Sequence, residues 1–217
     1  MICAACTDCP FELVGLEMIG GTTGHFEIHV TVTTADIEGF REACAELGVK
    51  PIVIEFQKWL DGPTDTQVMT THRIVGTYHD AYFSAMAVGH TLNLQDFEVT
   101  RTKIECGPAD AGSLPILYME SHLAFNLFEH DVDQLRQHAS DIGVHMSRNA
   151  FKKDKGLLKS TYMVTIREYD IDPGPFVGHT KYIRDSFARQ GFGRARLIIE
   201  GCVYDSNQDM DKEWIEP

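Results

Sequence analysis

The chain has 217 residues, of which 43% are hydrophobic and 24% charged, as in a globular protein with a buried core. This composition excludes collagen, a coiled coil and long disorder. Its 19 basic and 32 acidic residues give a net charge of −13, which argues against nucleic-acid and membrane-surface binding. No run of 18 apolar residues and no secretory leader is visible, so we expect a cytoplasmic protein without a membrane span.

The six cysteines are expected to be reduced thiols, because no export signal accompanies them. Cys3, Cys6 and Cys9 form a Cys-x-x-Cys-x-x-Cys run, which is typical of zinc or iron–sulfur ligation. The fourth cysteine of the bacterial ferredoxin pattern is absent, so Cys106 or Cys202 could complete a site only if this segment folds back. The alternative interpretation is a loose tail of small residues.

The sequence resembles itself at a displacement of 95 positions, without a gap, over residues 24–106 and 119–201. An apolar stripe with helical spacing occurs in both segments, and each stripe ends at a glycine, Gly48 or Gly143. Such glycines are typical of left-handed helix caps. The stripes consist of Ile37, Phe40, Cys44 and Leu47 and of Val132, Leu135, Ala139 and Ile142.

Each segment predicts the order strand, helix, strand, strand, helix, strand. This is the ferredoxin-like βαββαβ unit, an antiparallel sheet in the strand order 4-1-3-2 with both helices on one face. The sequence therefore predicts an α+β fold of two tandem ferredoxin-like repeats. The first repeat has strands near 25–32, 51–57, 67–75 and 98–105 and helices near 35–47 and 80–94. The predicted divisions are an N-terminal segment (1–23), repeat 1 (24–107), a linker (108–118), repeat 2 (119–204) and an acidic C-terminal tail (205–217).

The helix-free face of the first predicted sheet carries imidazoles and carboxylates. His29, Glu27 and Glu105 are the candidate catalytic residues, and together with His25 they are the candidate metal ligands. Side chains two positions apart on a strand share a face and can converge on one ion. Three such ligands with an open position are typical of catalytic zinc, iron or manganese. The base would be a metal-bound water or His29, oriented by Glu27 or Glu105.

A second interpretation uses the basic residues of both helix-free faces. Guanidinium groups bind phosphate or carboxylate with two parallel hydrogen bonds, so arginines in an acidic protein favour a small anionic molecule over a polymer. The alternative is a solvated sheet face, with surface ion pairs of ~0.5 kcal/mol each. The candidate ligand-binding residues are Arg101, Lys103, His122, Arg167, Arg196 and Glu200.

The segment His29-Val30-Thr31 resembles the His-x-Thr motif of the 2H phosphoesterases. The resemblance implies two such motifs in a duplicated scaffold, with the histidines as acid and base on a cyclic phosphate. The second copy departs from this pattern, because His122-Leu123-Ala124 lacks the hydroxyl residue.

From residue 24 onward the chain also resembles a family of uncharacterised proteins, which implies a fold and no activity. The segments that carry this resemblance are His25-Phe26-Glu27, 147–150 (Ser-Arg-Asn-Ala), 204–207 (Tyr-Asp-Ser-Asn) and Trp214-Ile215. The sequence thus predicts a protein that binds a divalent metal, a small anion or both. The alternatives are a non-catalytic interaction or sensing module and a 2H-like phosphoesterase; catalysis and homo-oligomerisation stay open.

Overall fold

The computed structural model describes residues 21–56, 65–110, 114–154 and 159–212, which form a mixed α+β structure. Two short 3-10 turns, Glu129–Asp131 and Gln208–Asp211, accompany the longer elements. The strands are β1 (Thr23–Thr33), β2 (Lys50–Phe56), β3 (Asp65–Thr77), β4 (Glu98–Cys106), β5 (Tyr118–Phe128), β6 (His145–Asp154), β7 (Lys159–Glu168) and β8 (Arg196–Asp205). The helices are α1 (Ile37–Leu47), α2 (Tyr78–Leu94), α3 (Val132–Asp141) and α4 (Pro173–Arg189).

The eight strands form one antiparallel sheet, which closes into a barrel in the order β1-β3-β2-β6-β7-β5-β8-β4. The first four strands follow the order β4-β1-β3-β2 and the last four the order β8-β5-β7-β6. The halves join at two seams, where β2 pairs with β6 and β4 pairs with β8. The sequence predicted two sheets with helix-free faces and left open whether these faces meet. The paired edge strands curve both faces into one barrel interior.

The helix ends follow from the local sequence. Asp36 begins α1 by accepting a hydrogen bond from the backbone N–H of Gly39, and Thr77 and Asp80 form a capping box at the start of α2. Gly48, after α1, has a φ of +68°, and Gly143, after α3, has a φ of +70°. The prediction that both helices end at a left-handed glycine is therefore confirmed.

The apolar cores lie outside the barrel, between its outer face and the helices. One core contains Phe26 and Phe40 from the first half, and the other contains Leu123 and Phe187 from the second half. All four side chains are almost fully buried. Because neighbouring side chains on a strand point to opposite faces, the residues between these apolar ones point into the barrel. The interior therefore carries the polar residues.

Some predictions concern residues that the structure does not describe or properties that it tests only in part. The cysteine motif at residues 3–9 and residues 213–217 lie outside the described residues. Cys44, Cys106 and Cys202 are free and buried, and burial raises their thiol pKa values to about 11, 12 and 12. Every helix in the described ranges is too short or too polar to cross a membrane. The division into repeats and linker stays a prediction.

Candidate functional site

The barrel interior holds a cavity of about 520 Å³, a size suited to a small molecule. Its wall combines acidic, basic and imidazole side chains with apolar ones from β2, β3, β7 and β8, so a ligand would meet both charged and apolar groups. Five carboxylates line the cavity: Glu27, Glu105, Glu120, Glu200 and Asp211.

The two halves place the same residue types at equivalent positions of their hydrogen-bonded ladders. Each half has a Glu-x-His triplet, whose glutamate stands opposite an arginine on one neighbouring strand and a glutamate on the other. The equivalent positions are Glu27 and Glu120, His29 and His122, Thr71 and Thr165, Arg73 and Arg167, Glu105 and Glu200, and Arg101 and Arg196.

In the first half, His29 is held between a backbone carbonyl and a carboxylate. Its Nδ1 donates a hydrogen bond to the carbonyl oxygen of Thr70 over 3.2 Å, and its Nε2 lies 3.2 Å from Glu105 Oε2. Burial lowers the pKa of His29, but the hydrogen bond and charge of Glu105 outweigh burial, so the pKa is raised. The pKa of nearby Glu27 is lowered, because His29 and Arg73 together outweigh its burial.

In the second half, His122 is held in a similar way. Its Nε2 lies 3.1 Å from Glu120 Oε1, and its Nδ1 lies 3.0 Å from Thr165 Oγ1. Burial lowers the pKa of His122, but Glu120 outweighs burial and raises it. Glu120 also accepts a 2.8 Å hydrogen bond from Arg167 Nε. Each imidazole is thus fixed in orientation by a neighbouring carboxylate.

Lys103 joins the two halves inside the cavity. Its Nζ lies 2.7 Å from Glu105 Oε1 and 3.3 Å from Glu120 Oε2. Burial raises the pKa of both carboxyls, but Lys103 with His29 at Glu105, and Lys103 with Arg167 and His122 at Glu120, together outweigh burial. The pKa of Glu105 falls to about 2, and that of Glu120 lies well below its usual range. Both glutamates are therefore ionised at neutral pH.

The Lys103 ammonium supplies the positive charge that a metal would bring to these carboxylates. Within the described residues, no group of three or more His, Cys, Asp or Glu side chains is arranged to hold a metal ion. His25 is exposed and does not line the cavity, so it stands apart from Glu27, His29 and Glu105. The predicted zinc, iron or manganese site gains no support from this arrangement.

Glu200 differs from the other buried glutamates because, among the described residues, no lysine or arginine nitrogen lies within 4.0 Å of its carboxyl group. Its described ion-pair partner is the imidazole of His122, whose Nε2 lies 3.9 Å from Glu200 Oε2. Burial and repulsion by Glu105 raise the pKa of Glu200 to about 7, although His122 opposes the shift. Glu200 can therefore gain or lose a proton near neutral pH.

Glu200→Gln is expected to stabilise the protein above pH 7 and to change little at pH 4.5. The folded pKa of about 7 lies above the ordinary value of 4.5, so the stability from the protonated carboxyl is complete below pH 4.5 and lost as the pH rises through 7. Glutamine keeps the neutral form, and we expect a gain on the order of 2–3 kcal/mol at pH 8–9.

Urea unfolding of wild type and variant between pH 4.5 and 9 measures this difference. Glu98→Gln, at an exposed position of β4, is the matched control and should show no such trend. A constant difference between Glu200→Gln and wild type across this range would contradict the raised pKa.

One end of the barrel is closed by the segment that follows β8, and we call this the closed end. Arg101 donates to Asp205 Oδ1 over 2.9 Å and to Asp205 Oδ2 over 2.6 Å, and its Nη1 donates to Asp211 Oδ2 over 2.7 Å. Tyr118 adds a 2.7 Å hydrogen bond to Asp205 Oδ2. Arg101, a predicted ligand-binding residue, thus binds carboxylates of the protein itself, because residues 205–211 fold back over the barrel.

Arg167, another predicted ligand-binding residue, joins the same network. Its Nη2 donates to Asp211 Oδ2 over 2.7 Å, while Glu120 accepts from its Nε. The side chain is 2% exposed. Neither Arg101 nor Arg167 has its charge free for a ligand, so we do not retain them as ligand contacts.

The part of the cavity wall that is exposed to solvent carries only positive charge among the described residues. Lys50, Arg73 and Arg196 are the exposed residues among the described cavity wall, and all three are cations. We call these three residues the cationic mouth. Arg73 binds Glu27 yet keeps a side chain that is 78% exposed. Lys50 and Arg196 have no carboxylate within 4.0 Å in the described ranges, so no described residue neutralises their charges by direct contact.

On β3, Thr71 and Arg73 stand on the side of Glu27 and hydrogen-bond to it. The side chain of His72 turns the other way, and its Nε2 lies 2.9 Å from Ser84 Oγ of α2. The sequence interpretation also left out two site residues, Asp205 and Asp211, for which the acidic end of the chain was the available signal.

The comparisons with known proteins identify no family. No family model and no curated protein matches the chain. A solved structure from Fusobacterium nucleatum, provisionally described as a monooxygenase, is similar with a TM-score of 0.30 and 9% sequence identity. The match covers 87% of this chain and 95% of that one. A similarity this low carries no conclusion about activity.

Proposed function

We propose that this protein binds a small organic anion inside the barrel and that Glu200 exchanges a proton with it. The observation that carries the proposal is a cavity whose exposed wall residues are cations and whose interior holds a carboxyl group with a pKa near 7. Whether proton exchange leads to a net reaction depends on the ligand.

The binding half of the proposal follows from the distribution of charge. The chain has a net charge of −13, which repels anions at long range. The cationic mouth reverses this field locally, and clefts lined by one sign of charge concentrate ligands of the opposite sign. Inside the cavity, the hydroxyl groups of Thr71 and Thr165 and the imidazoles offer hydrogen bonds that orient a polar ligand.

The proton-exchange half follows from the contrast between the glutamates. Lys103 keeps Glu105 and Glu120 ionised, so these two act as fixed charges. Glu200 titrates close to neutral pH, where a general acid or base is most effective. His122, 3.9 Å away, can receive or return the proton if both groups move slightly.

We also propose that the two halves are ferredoxin-like repeats from a duplication, in a cytoplasmic protein. The equal strand order of the halves and their equivalent Glu, His, Thr and Arg positions support this proposal. The 2H phosphoesterase alternative is less attractive, because the ladders make Ala124 the counterpart of Thr31 and alanine has no hydroxyl for a phosphate.

The test is a titration of the purified protein with acetate, succinate, citrate, inorganic phosphate and methanesulfonate at low salt. We expect at least one of these anions to raise the Tm by several degrees and to bind one per chain by calorimetry. Binding at pH 7, repeated in buffers of different ionisation enthalpy, should show proton uptake or release that Glu200→Gln abolishes and Glu98→Gln keeps.

Two outcomes would overturn this proposal. No rise in Tm with any of these anions at millimolar concentration would favour the non-catalytic interaction module. Stoichiometric zinc, iron or manganese in the purified protein, lost in His29→Ala, would favour the metal-binding alternative.

A further inference from the structure

We infer that the group recognised at the cationic mouth is a carboxylate, bound by Arg196 and Arg73 as Asp211 is bound by Arg101 and Arg167. This inference rests on the proposed function and names the chemical class of its ligand. It follows from a comparison of the two barrel ends.

The closed end shows what this pair of arginine positions binds. Asp211 Oδ2 accepts one hydrogen bond from Arg101 Nη1 and one from Arg167 Nη2, each over 2.7 Å. Asp211 Oδ1 accepts a third, from Gln67 Nε2, over 3.1 Å. Two guanidinium groups from different strands thus converge on a single carboxylate oxygen in a buried, charge-assisted arrangement.

The strand pairing places a second pair of arginines, Arg196 and Arg73, at the cationic mouth. Arg196 of β8 stands opposite Ala124 of β5, as Arg101 of β4 stands opposite Thr31 of β1. The arginines that accompany them are also equivalent. Arg73 stands opposite the first glutamate of its half, as Arg167 does in the other half.

In each pair, the second arginine, Arg73 or Arg167, also donates a hydrogen bond to the glutamate of its own half. Arg73 Nε donates to Glu27 Oε2 over 2.9 Å, and Arg167 Nε donates to Glu120 Oε2 over 2.8 Å. Arg73 Nη2 also donates to Glu27 Oε2 over 2.7 Å, and Arg167 Nη2 lies 2.7 Å from both Glu120 Oε2 and Asp211 Oδ2. Because Nη2 carries two hydrogens, Arg73 can bind an incoming carboxylate as Arg167 binds Asp211, without releasing Glu27.

Among the described residues, the cationic mouth has no counterpart of the Asp211 carboxylate at the closed end. Arg196 is exposed and lines the cavity, and within the described ranges no Asp or Glu oxygen lies within 4.0 Å of its guanidinium. A carboxylate from solution would complete the same arrangement. Glu200 lines the same cavity, so a carboxylate anchored by Arg196 and Arg73 would share the cavity with this carboxyl group. The ligand class is therefore a small carboxylic acid.

Calorimetric titration with succinate, acetate and inorganic phosphate tests this inference on three full-length proteins. Arg196→Gln should weaken succinate binding at least tenfold without lowering the Tm of the free protein. Arg194→Gln, two residues earlier, exposed and absent from the cavity wall, is the matched control and should bind succinate as the wild type does.

The outcomes separate this inference from the proposed function. If wild type binds succinate and Arg196→Gln binds it equally well, the carboxylate site is wrong and anion binding stands. If phosphate binds and neither carboxylate does, the ligand class is wrong. If none of the wider panel of anions binds to wild type, the proposed function fails as well.

A second variant tests whether the two arginines of the closed end, Arg101 and Arg167, can bind a carboxylate from solution. Asp211→Ala removes the carboxylate that Arg101 and Arg167 share, and this variant should have a lower Tm than wild type. Acetate should then raise the Tm of Asp211→Ala more than that of wild type, because it can occupy the vacated position. An equal rise in Tm of the two proteins with acetate would contradict the assumption that such an arginine pair binds a free carboxylate.

Discussion

Arg101→Gln is expected to lower the free energy of unfolding by about 3–5 kcal/mol at pH 7, because it leaves buried carboxylates without their cation. Arg101 binds Asp205 and Asp211 through three of its nitrogens, and the side chains of all three residues are at most 6% exposed. Glutamine is too short and uncharged, so it cannot replace these contacts. Urea unfolding with a linear extrapolation measures the loss.

Arg196→Gln is the matched control for this prediction. It makes the same change at the equivalent ladder position, but Arg196 is exposed and has no described carboxylate within 4.0 Å. Surface substitutions of this kind usually change stability by less than about 0.5 kcal/mol. Similar losses in the two variants would show that the Arg101 network contributes no more than a surface arginine.

Lys103→Met is expected to cost about 3–5 kcal/mol at pH 7, because Glu105 and Glu120 would share the cavity without the ammonium between them. The loss should depend on pH. Glu105 has a folded pKa of about 2 against an ordinary value of 4.5, so its contribution is present above pH 4.5 and is lost as the pH falls through 2. The difference between wild type and variant should therefore shrink as the pH falls from 7 to 3.

Ile198→Met is the matched control, because Ile198 stands opposite His122 as Lys103 stands opposite His29. An apolar exchange of similar volume usually costs less than about 1.5 kcal/mol and has no reason to depend on pH. Adding Glu105→Gln to Lys103→Met should restore part of the stability at pH 7. A loss that is the same at pH 7 and pH 3 would contradict the charge bridge.

Local sequence patterns anticipated the elements of each half. Apolar stripes at helical spacing and a terminal glycine identified α1 and α3, and alternation along β1 placed Glu27 and His29 on the face away from Phe26. These signals act over a few residues, so they can be recognised before the fold is known.

Barrel closure could not be predicted from the same patterns. The seams β2–β6 and β4–β8 join strands that are distant in sequence, and nothing in an edge strand states which partner it will meet. The burial of Asp205 and Asp211 could not be predicted for a similar reason. An acidic segment at the end of a chain is ordinarily solvated, and only the positions of Arg101 and Arg167 explain why this one is buried.

The displacement of 95 positions also concealed the repeated triplet. It aligned Glu27 with His122, whereas the ladders make Glu27 equivalent to Glu120 and His29 equivalent to His122. The strands of the two halves are offset by slightly different amounts, and a shift of one residue moves a strand's side chains to the opposite face. An alignment without gaps therefore recovers the elements but not all of the cavity positions.

The two seams have a consequence for any fragment of the chain. Either set of four strands, produced alone, would expose two bare edges with unsatisfied backbone groups, and such edges associate readily. If the proposed duplication is correct, an ancestor of half this length would have satisfied those edges by assembling as a pair of identical subunits. Joining the two copies in one chain would then have let one end of the barrel close while the other stayed open, which identical subunits cannot do.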